Sequence, residues 1–194
     1  NLKRRLFGDS QNVKILFITL QSPSDTTTNF FCDQIGSYQN FINEIHKVTV
    51  LLENTDWRIV YKNHPLTIDK AQFDNAINVD EYHIGDILDA ADAITLINSG
   101  VGVLAAAYEK PVYHFGKAFY ANPDLNKAVS NAEELVEQLQ ANLLEVNKDK
   151  SIRFISYLIN NFYSFASWKR AERKHTEQAN MSISVDIDYE ILRV

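Results

Sequence analysis

Apolar residues fall along this chain in two rhythms. Short, mostly apolar runs occur at 13–20 (VKILFITL), 57–61 (WRIVY), 93–97 (AITLI) and 111–115 (PVYHF). They are rich in β-branched and aromatic residues and predict strands buried on both faces. Residues 76–79 predict one more short strand. Between these runs the spacing turns helical. Over 37–52, Phe41, Ile42, Ile45, Val48, Val50, Leu51 and Leu52 return at roughly helical intervals, with some β character at the end. Residues 84–91 put Ile84, Ile87, Leu88 and Ala91 on one face. Residues 102–108 (GVLAAAY) predict a helix of small side chains, able to pack closely on a sheet. Over 131–144, Leu135, Val136, Leu139 and Leu143 turn inward and Glu133, Glu134 and Glu137 outward. The first two glutamates suit the positive end of the helix dipole.

Strands alternating with helices predict an α/β fold: a Rossmann-like, mostly parallel sheet with helices on both faces. No long Gly/Pro/Ser linker interrupts it, so one domain is expected over residues 1–146. A polar break at 147–151 (NKDKS) precedes a stretch at 151–168 with Ile152, Ile155, Ile159 and Phe162 on one stripe, which predicts a helix. Ile183, Val185, Ile187, Tyr189 and Ile191 then alternate with polar residues, the period of a half-buried strand. Residues 147–194 are thus expected to supply C-terminal helices and an edge strand, packed on this domain or on a partner domain.

The bulk numbers narrow the function. A chain of 194 residues supports one sizeable core and is short for two. Its net charge of −6 argues against a nucleic-acid surface, which needs a basic face. The single cysteine, Cys32, excludes an internal disulfide and a cysteine-built metal site. No apolar run approaches the roughly 18 residues that span a bilayer, and no signal peptide is visible. The sequence begins at Asn1 without an initiator Met, so a processed product or a piece of a longer protein is expected. No His, Asp and Glu residues stand at a metal-binding spacing such as HExxH.

Candidate chemistry gathers where strands end. His64-Pro65 follows the run 57–61; proline fixes the turn, and the imidazole can donate to a phosphate oxygen or protonate it as it leaves. The plainer alternative is a histidine that caps a turn. Asn98-Ser99-Gly100-Val101-Gly102 follows the run 93–97 and opens a helix. Glycine allows close backbone approach, and a helix start with a Ser hydroxyl suits an anion. An ordinary Asn/Ser cap is the alternative. The pattern is neither GxGxxG nor a P-loop. Asp25 ends Gln21-Ser22-Pro23-Ser24-Asp25 and is read either as a nucleophile or base in glycosyl transfer or as an N-cap. In Gly116-Lys117-Ala118-Phe119-Tyr120, Lys117 can meet a phosphate or carboxylate and Tyr120 can line a pocket; a solvated Lys and a packed Tyr are the alternatives. His114 reads as a core histidine, and His46 and His83 carry no assignment. Lys169, Arg170, Arg173, Lys174 and His175 follow an aromatic-rich segment and are read either as a peripheral membrane contact or as a solvated helix end.

Taken in order, Leu20 to Asp25, Lys62-Asn63-His64-Pro65, Ala91-Asp92, Asn98 to Gly102, Lys110-Pro111-Val112 and Gly116 to Tyr120 resemble the capsule polysaccharide biosynthesis family, which includes retaining β-Kdo transferases. The resemblance covers about residues 13–122. It implies the nucleotide-binding half of a GT-B glycosyltransferase that uses CMP-Kdo, or a similar acidic CMP-sugar, as donor substrate with no separate cofactor. It implies that His64 and Ser99 hold the CMP phosphate and promote its departure, with Asp25 as nucleophile. Gln21, Ser22, Lys62, Asn98, Gly100, Gly102, Lys117 and Tyr120 would line the donor site. It further implies a glycan or glycolipid acceptor, an acceptor domain N-terminal to this chain, and a cytoplasmic location at the inner face of the bacterial inner membrane. Two other readings stay open. One is a CDP-glycerol-dependent glycerophosphotransferase, whose later loop tends to carry an acid and paired serines where this chain has Ile97-Asn98-Ser99-Gly100. The other is a non-catalytic nucleotide- or glycan-binding module.

Overall fold

The computed structural model describes residues 2–8, 12–141, 144–163, 166–177 and 180–191, with side chains up to residue 163. The chain divides into two compact units, Asn1–Ile155 and Ser156–Val194.

The first unit is built on six parallel strands: β1 (Lys14–Thr19), β2 (Trp57–Lys62), β3 (Ala76–Asn78), β4 (Ala93–Leu96), β5 (Val112–His114) and β6 (Asn126–Ala128). Their order across the sheet is β3-β2-β1-β4-β5-β6. The helices are α1 (Leu2–Phe7), α2 (Thr26–Phe30), α3 (Tyr38–Leu51), α4 (Ile84–Ala90), α5 (Val101–Ala107), α6 (Ala132–Ala141) and α7 (Lys148–Tyr157).

The unbroken apolar run of β1 has a direct cause. Leu16 and Ile18 join a core with Phe41, Ile45 and Val48 of α3 and Leu135 and Leu139 of α6. Ile15 and Phe17 point the other way, into a core with Ile87 and Leu88 of α4 and Ala105 of α5. Helices cover both faces of the sheet, so every second residue is buried on one side and its neighbours on the other. Ser37 starts α3 by accepting a hydrogen bond from Asn40 N at 3.1 Å. Of α6, residues 142–143 at its expected end lie outside the described residues.

Departures from the sequence reading are local. Helix α2 and strand β6 are additional elements, as is α1. The helix expected over 151–168 is α7 followed by a π-helical turn, Leu158–Phe162. Strand β7 (Ala166–Glu177) then pairs antiparallel with β8 (Asn180–Ile191), in register from Ala166↔Ile191 to Glu177↔Asn180. The aromatic-rich composition of 162–168 (FYSFASW) favours extended chain over helix. Residues 169–175 therefore fall within β7 and not at a helix end; their side chains lie outside the described residues, as does Phe165. The alternating stretch 183–191 is indeed a strand. Among the described residues no helix is long and apolar enough to cross a membrane.

Candidate functional site

The order of the strands reverses between β1 and β4, which lie side by side although β2 and β3 separate them in sequence. Loops leaving neighbouring strands at such a point diverge and open a crevice at the carboxyl edge of the sheet. The residues expected to line the donor site lie on this edge. Gln21, Ser22 and Asp25 follow β1; Lys62 ends β2 and His64 follows it; Asn98 to Gly102 follow β4; Lys117 and Tyr120 follow β5. Asp92 lies at the opposite end of the sheet, where its carboxylate accepts from Ile15 N at 2.8 Å.

A buried amide pair joins the loops that follow β1 and β4. Gln21 Nε2 donates to Asn98 Oδ1 at 2.8 Å, and Asn98 N donates to Gln21 Oε1 at 3.0 Å. Asn98 Nδ2 donates to the carbonyls of Thr27 and Phe31, each at 3.0 Å. Gln21 Nε2 also lies 3.3 Å from Thr28 Oγ. Both amides are thus used in joining the β1 and β4 loops to α2. The Phe31 carbonyl also accepts from Lys117 N at 2.8 Å, which draws in the loop after β5. Gly116 makes that approach possible: a Cβ there would stand 2.5 Å from Phe31 O and 2.7 Å from Ile97 Cγ2.

Asp25 is exposed and N-caps α2, accepting from Thr27 N at 3.1 Å through Oδ1. This is the capping geometry foreseen as its alternative, and it involves one of the two carboxylate oxygens. Ser22 and Ser24 hydroxyls meet at 3.0 Å nearby.

On the β2 side, Lys62 reaches across to the chain after β3. Its ammonium donates to the carbonyl of Tyr82 at 3.1 Å, to that of Val79 at 3.4 Å and to that of Asp80. The cation therefore ties two loop starts together. His64 is half-buried, and its Nδ1 accepts from Leu66 N at 3.3 Å. A ring nitrogen that accepts carries no proton, so in the neutral ring Nε2 is the N–H. With Nδ1 used by Leu66 N, Nε2–H is the donor that His64 has left for a ligand.

After β4, Ser99 Oγ accepts from Val101 N at 3.3 Å, and Gly102 N donates to Ser99 O at 3.0 Å. Tyr120, almost wholly buried, donates its hydroxyl to Ser99 O at 2.5 Å, and burial holds its phenol well above the usual range. Tyr120 supports the Ser99 turn from within the protein. It also explains Gly102, where a Cβ would stand 2.1 Å from the Tyr120 hydroxyl oxygen. At Gly100 a Cβ would meet nothing within 4 Å.

Lys117 is exposed and pairs with Asp33 at 3.5 Å. Together with Thr27, Phe31, Asn98, Ala118 and Phe119 it lines a largely apolar cavity of about 310 Å³ beside the crevice. His114 is a core histidine as expected: it is buried, with Nδ1 donating to Gly116 O at 2.8 Å. His83 caps α4 through Nδ1, 3.1 Å from Gly85 N. Among the described residues no three His, Cys, Asp or Glu side chains are grouped to hold a metal ion.

Sequence reasoning missed Thr28, Phe31 and Asp80, which accepts from Asn63 N at 2.7 Å, and it placed Gly116 and Phe119 in the loop after β5 without a role. Gly116 was detectable as a glycine directly after a strand. Phe31 and Asp80 carry no local signal, because Asn98 and Asn63 lie 67 and 17 positions away.

Comparison with known proteins gives the family and the fold. Residues 3–163 match the family described as capsule polysaccharide biosynthesis protein. No curated protein sequence matches the chain. Among solved structures, the β-Kdo 2,7 transferase of Thermosulfurimonas dismutans KpsC superposes with a TM-score of 0.52 at 21% identity, over 79% of this chain and 49% of that one. Its β-Kdo 2,4 transferase gives 0.51 at 16% identity, over 75% and 45%. The calicheamicin glycosyltransferase CalG4 gives 0.51 at 11% identity, over 79% and 40%. The chain spans about half the length of the KpsC structures it matches. At these identities the superpositions establish the fold alone, a Rossmann-like domain like one half of those GT-B structures, while the family match extends from α1 to the end of the π-helical turn. The chain belongs to the capsule polysaccharide biosynthesis family.

Proposed function

We propose that this chain is the donor-binding part of a glycosyltransferase that moves Kdo, or a similar acidic sugar, from its CMP-activated form to a bacterial surface polysaccharide or lipid-linked acceptor. The observation that carries the reading is the imidazole of His64, held by Leu66 N so that Nε2–H is the free donor, on the carboxyl edge of the sheet that also carries the Ser99 turn. A neutral Nε2–H can hold a phosphate oxygen, and an imidazolium can protonate the phosphate as it departs. The KpsC structures are described as β-Kdo transferases, which favours a CMP-sugar over other donors.

In the proposed reaction Asp25 attacks the anomeric carbon and the bond to the CMP phosphate breaks, its electron pair leaving with the phosphate. An acceptor hydroxyl oxygen then bonds to the anomeric carbon, Asp25 leaves as its carboxylate and the hydroxyl proton passes to solvent, so the two displacements retain configuration. Asp25 Oδ1 holds the start of α2, and Oδ2 is the oxygen assigned to the sugar. The acceptor would be bound by a second Rossmann-like half, N-terminal to this one.

Calorimetric titration of CMP and CDP, repeated with His64→Ala, tests the donor. CMP binding that weakens about tenfold or more in the variant is expected, since a hydrogen bond to a charged group is removed. Preference for CDP would point to CDP-activated donors, and CMP binding indifferent to His64 would remove the role assigned to that residue.

A further inference from the structure

We infer that Asp80 is a positioning residue that sets the His64 loop from the neighbouring strand. This deepens the reading of His64 as the phosphate donor and rests on it. The loop between β2 and β3 starts at Asn63, immediately before His64. Asn63 is 5% exposed, and its backbone N–H donates to Asp80 Oδ1 at 2.7 Å. Asn63 Nδ2 lies 3.4 Å from Asp80 Oδ2, and its Oδ1 accepts from Ala71 N at 3.0 Å. Lys70 donates to Asp80 Oδ2 at 2.8 Å. The loop is therefore held at Asn63 and again at Lys70 by one carboxylate, while Asn63 closes it across to Ala71.

Asp80 is itself well fixed. Val79 N donates to Tyr61 O at 2.9 Å, extending the ladder between β2 and β3, and Asp80 N donates to Asn78 Oδ1 at 2.9 Å. The Lys62 ammonium binds the carbonyls of Val79, Asp80 and Tyr82. Burial opposes ionisation of Asp80, yet the Lys70 ammonium and the Asn63 donors outweigh it and hold the carboxyl below its ordinary range. An ionised carboxylate bonded to a backbone N–H one residue from the histidine fixes the backbone on which the His64–Leu66 hydrogen bond depends. Geometry within a fraction of an ångström governs how well a positioned group acts.

The test uses Asp80→Ala, Asp80→Asn and His64→Ala in this chain, with two readouts. The first is the imidazole ¹⁵N spectrum, which reports the His64 tautomer without any ligand. Wild type is expected to show the Nε2–H form and Asp80→Ala a mixture of tautomers. The second is CMP affinity in a double-mutant cycle. Asp80→Ala is expected to weaken binding about tenfold in the wild-type background and less than twofold in the His64→Ala background, because it acts through His64. Asp80→Asn keeps an acceptor for Asn63 N and is expected to lose about threefold; it stands in if the alanine variant does not fold. An unchanged His64 spectrum, or affinity losses that simply add, would overturn the inference. If wild type binds no CMP, the donor reading fails instead, and the spectrum alone then decides the role of Asp80.

Discussion

Replacing Gly102 by alanine separates two explanations for that glycine. One is that a ligand approaches the backbone there; the other is that Tyr120 fills the space where a side chain would grow. An added Cβ would stand 2.1 Å from the Tyr120 hydroxyl oxygen, 2.3 Å from Cζ and 2.5 Å from Cε2. The ring cannot move aside freely, because it is 2% exposed and its hydroxyl is bonded to Ser99 O. Overpacking of this kind costs about 1–3 kcal/mol. Losing the hydroxyl bond adds about 1 kcal/mol. The expected destabilisation is therefore roughly 2–4 kcal/mol, a fall in melting temperature of roughly 5–15 °C for a chain of this size. Chemical and thermal denaturation measure it directly. Gly100→Ala is the control: nothing lies within 4 Å of its Cβ, φ is −57°, and a change below about 1 kcal/mol is expected. In a Tyr120→Leu background the cost of Gly102→Ala is expected to fall below about 1 kcal/mol, because the two sites share one space. A Gly102→Ala variant within about 0.5 kcal/mol of wild type would refute the packing explanation, as would equal losses at Gly100 and Gly102.

Gln21→Ala is expected to destabilise by about 1–3 kcal/mol in denaturant titration, since it leaves Asn98 N and Oδ1 buried without their partner. Asp25→Asn keeps an oxygen to cap α2 and should unfold within about 0.5 kcal/mol of wild type, while Asp25→Ala loses about 1 kcal/mol. In the complete enzyme Asp25→Asn is expected to abolish sugar transfer, and retained transfer would remove the nucleophile role. Asp80 has a lowered folded-state value, so its contribution to stability is present above the unfolded carboxyl value near ~3.9 and is lost as pH falls through the lower folded value. Acid titration of stability should therefore be shallower in Asp80→Asn than in wild type below about pH 4.

What could be read in the sequence depended on whether a feature had a local cause. The runs that became β1, β2 and β4 are apolar on both faces because helices cover both sides, and that leaves an unmistakable pattern. The ordered loops carried the family, and those that follow β1, β2, β4 and β5 are delivered to one edge by the parallel sheet. Helix α2 gave no such signal: three threonines in its five residues are poor helix formers, and it stands because Asp25 caps it and Asn98 binds the carbonyls of Thr27 and Phe31. Strand β6 is only Asn-Lys-Ala, and it exists by pairing with β5. Gln21 and Asn98 are 77 positions apart, and no periodicity links them. The helix expected through Trp168 failed because an apolar stripe at helical spacing was carried past Phe162 into residues that prefer extended chain.

The most direct measurement is ¹H–¹⁵N mapping of amide shifts in this chain as CMP is added. Perturbations centred on His64 to Leu66 and Ser99 to Gly102 are predicted, and they should largely vanish in His64→Ala. Shifts centred instead on the larger cavity lined by Asn122, Asn126, Lys127 and Leu144, or no shifts at any CMP concentration reached, would contradict the central claim that the carboxyl edge of this sheet is a cytidine-phosphate site.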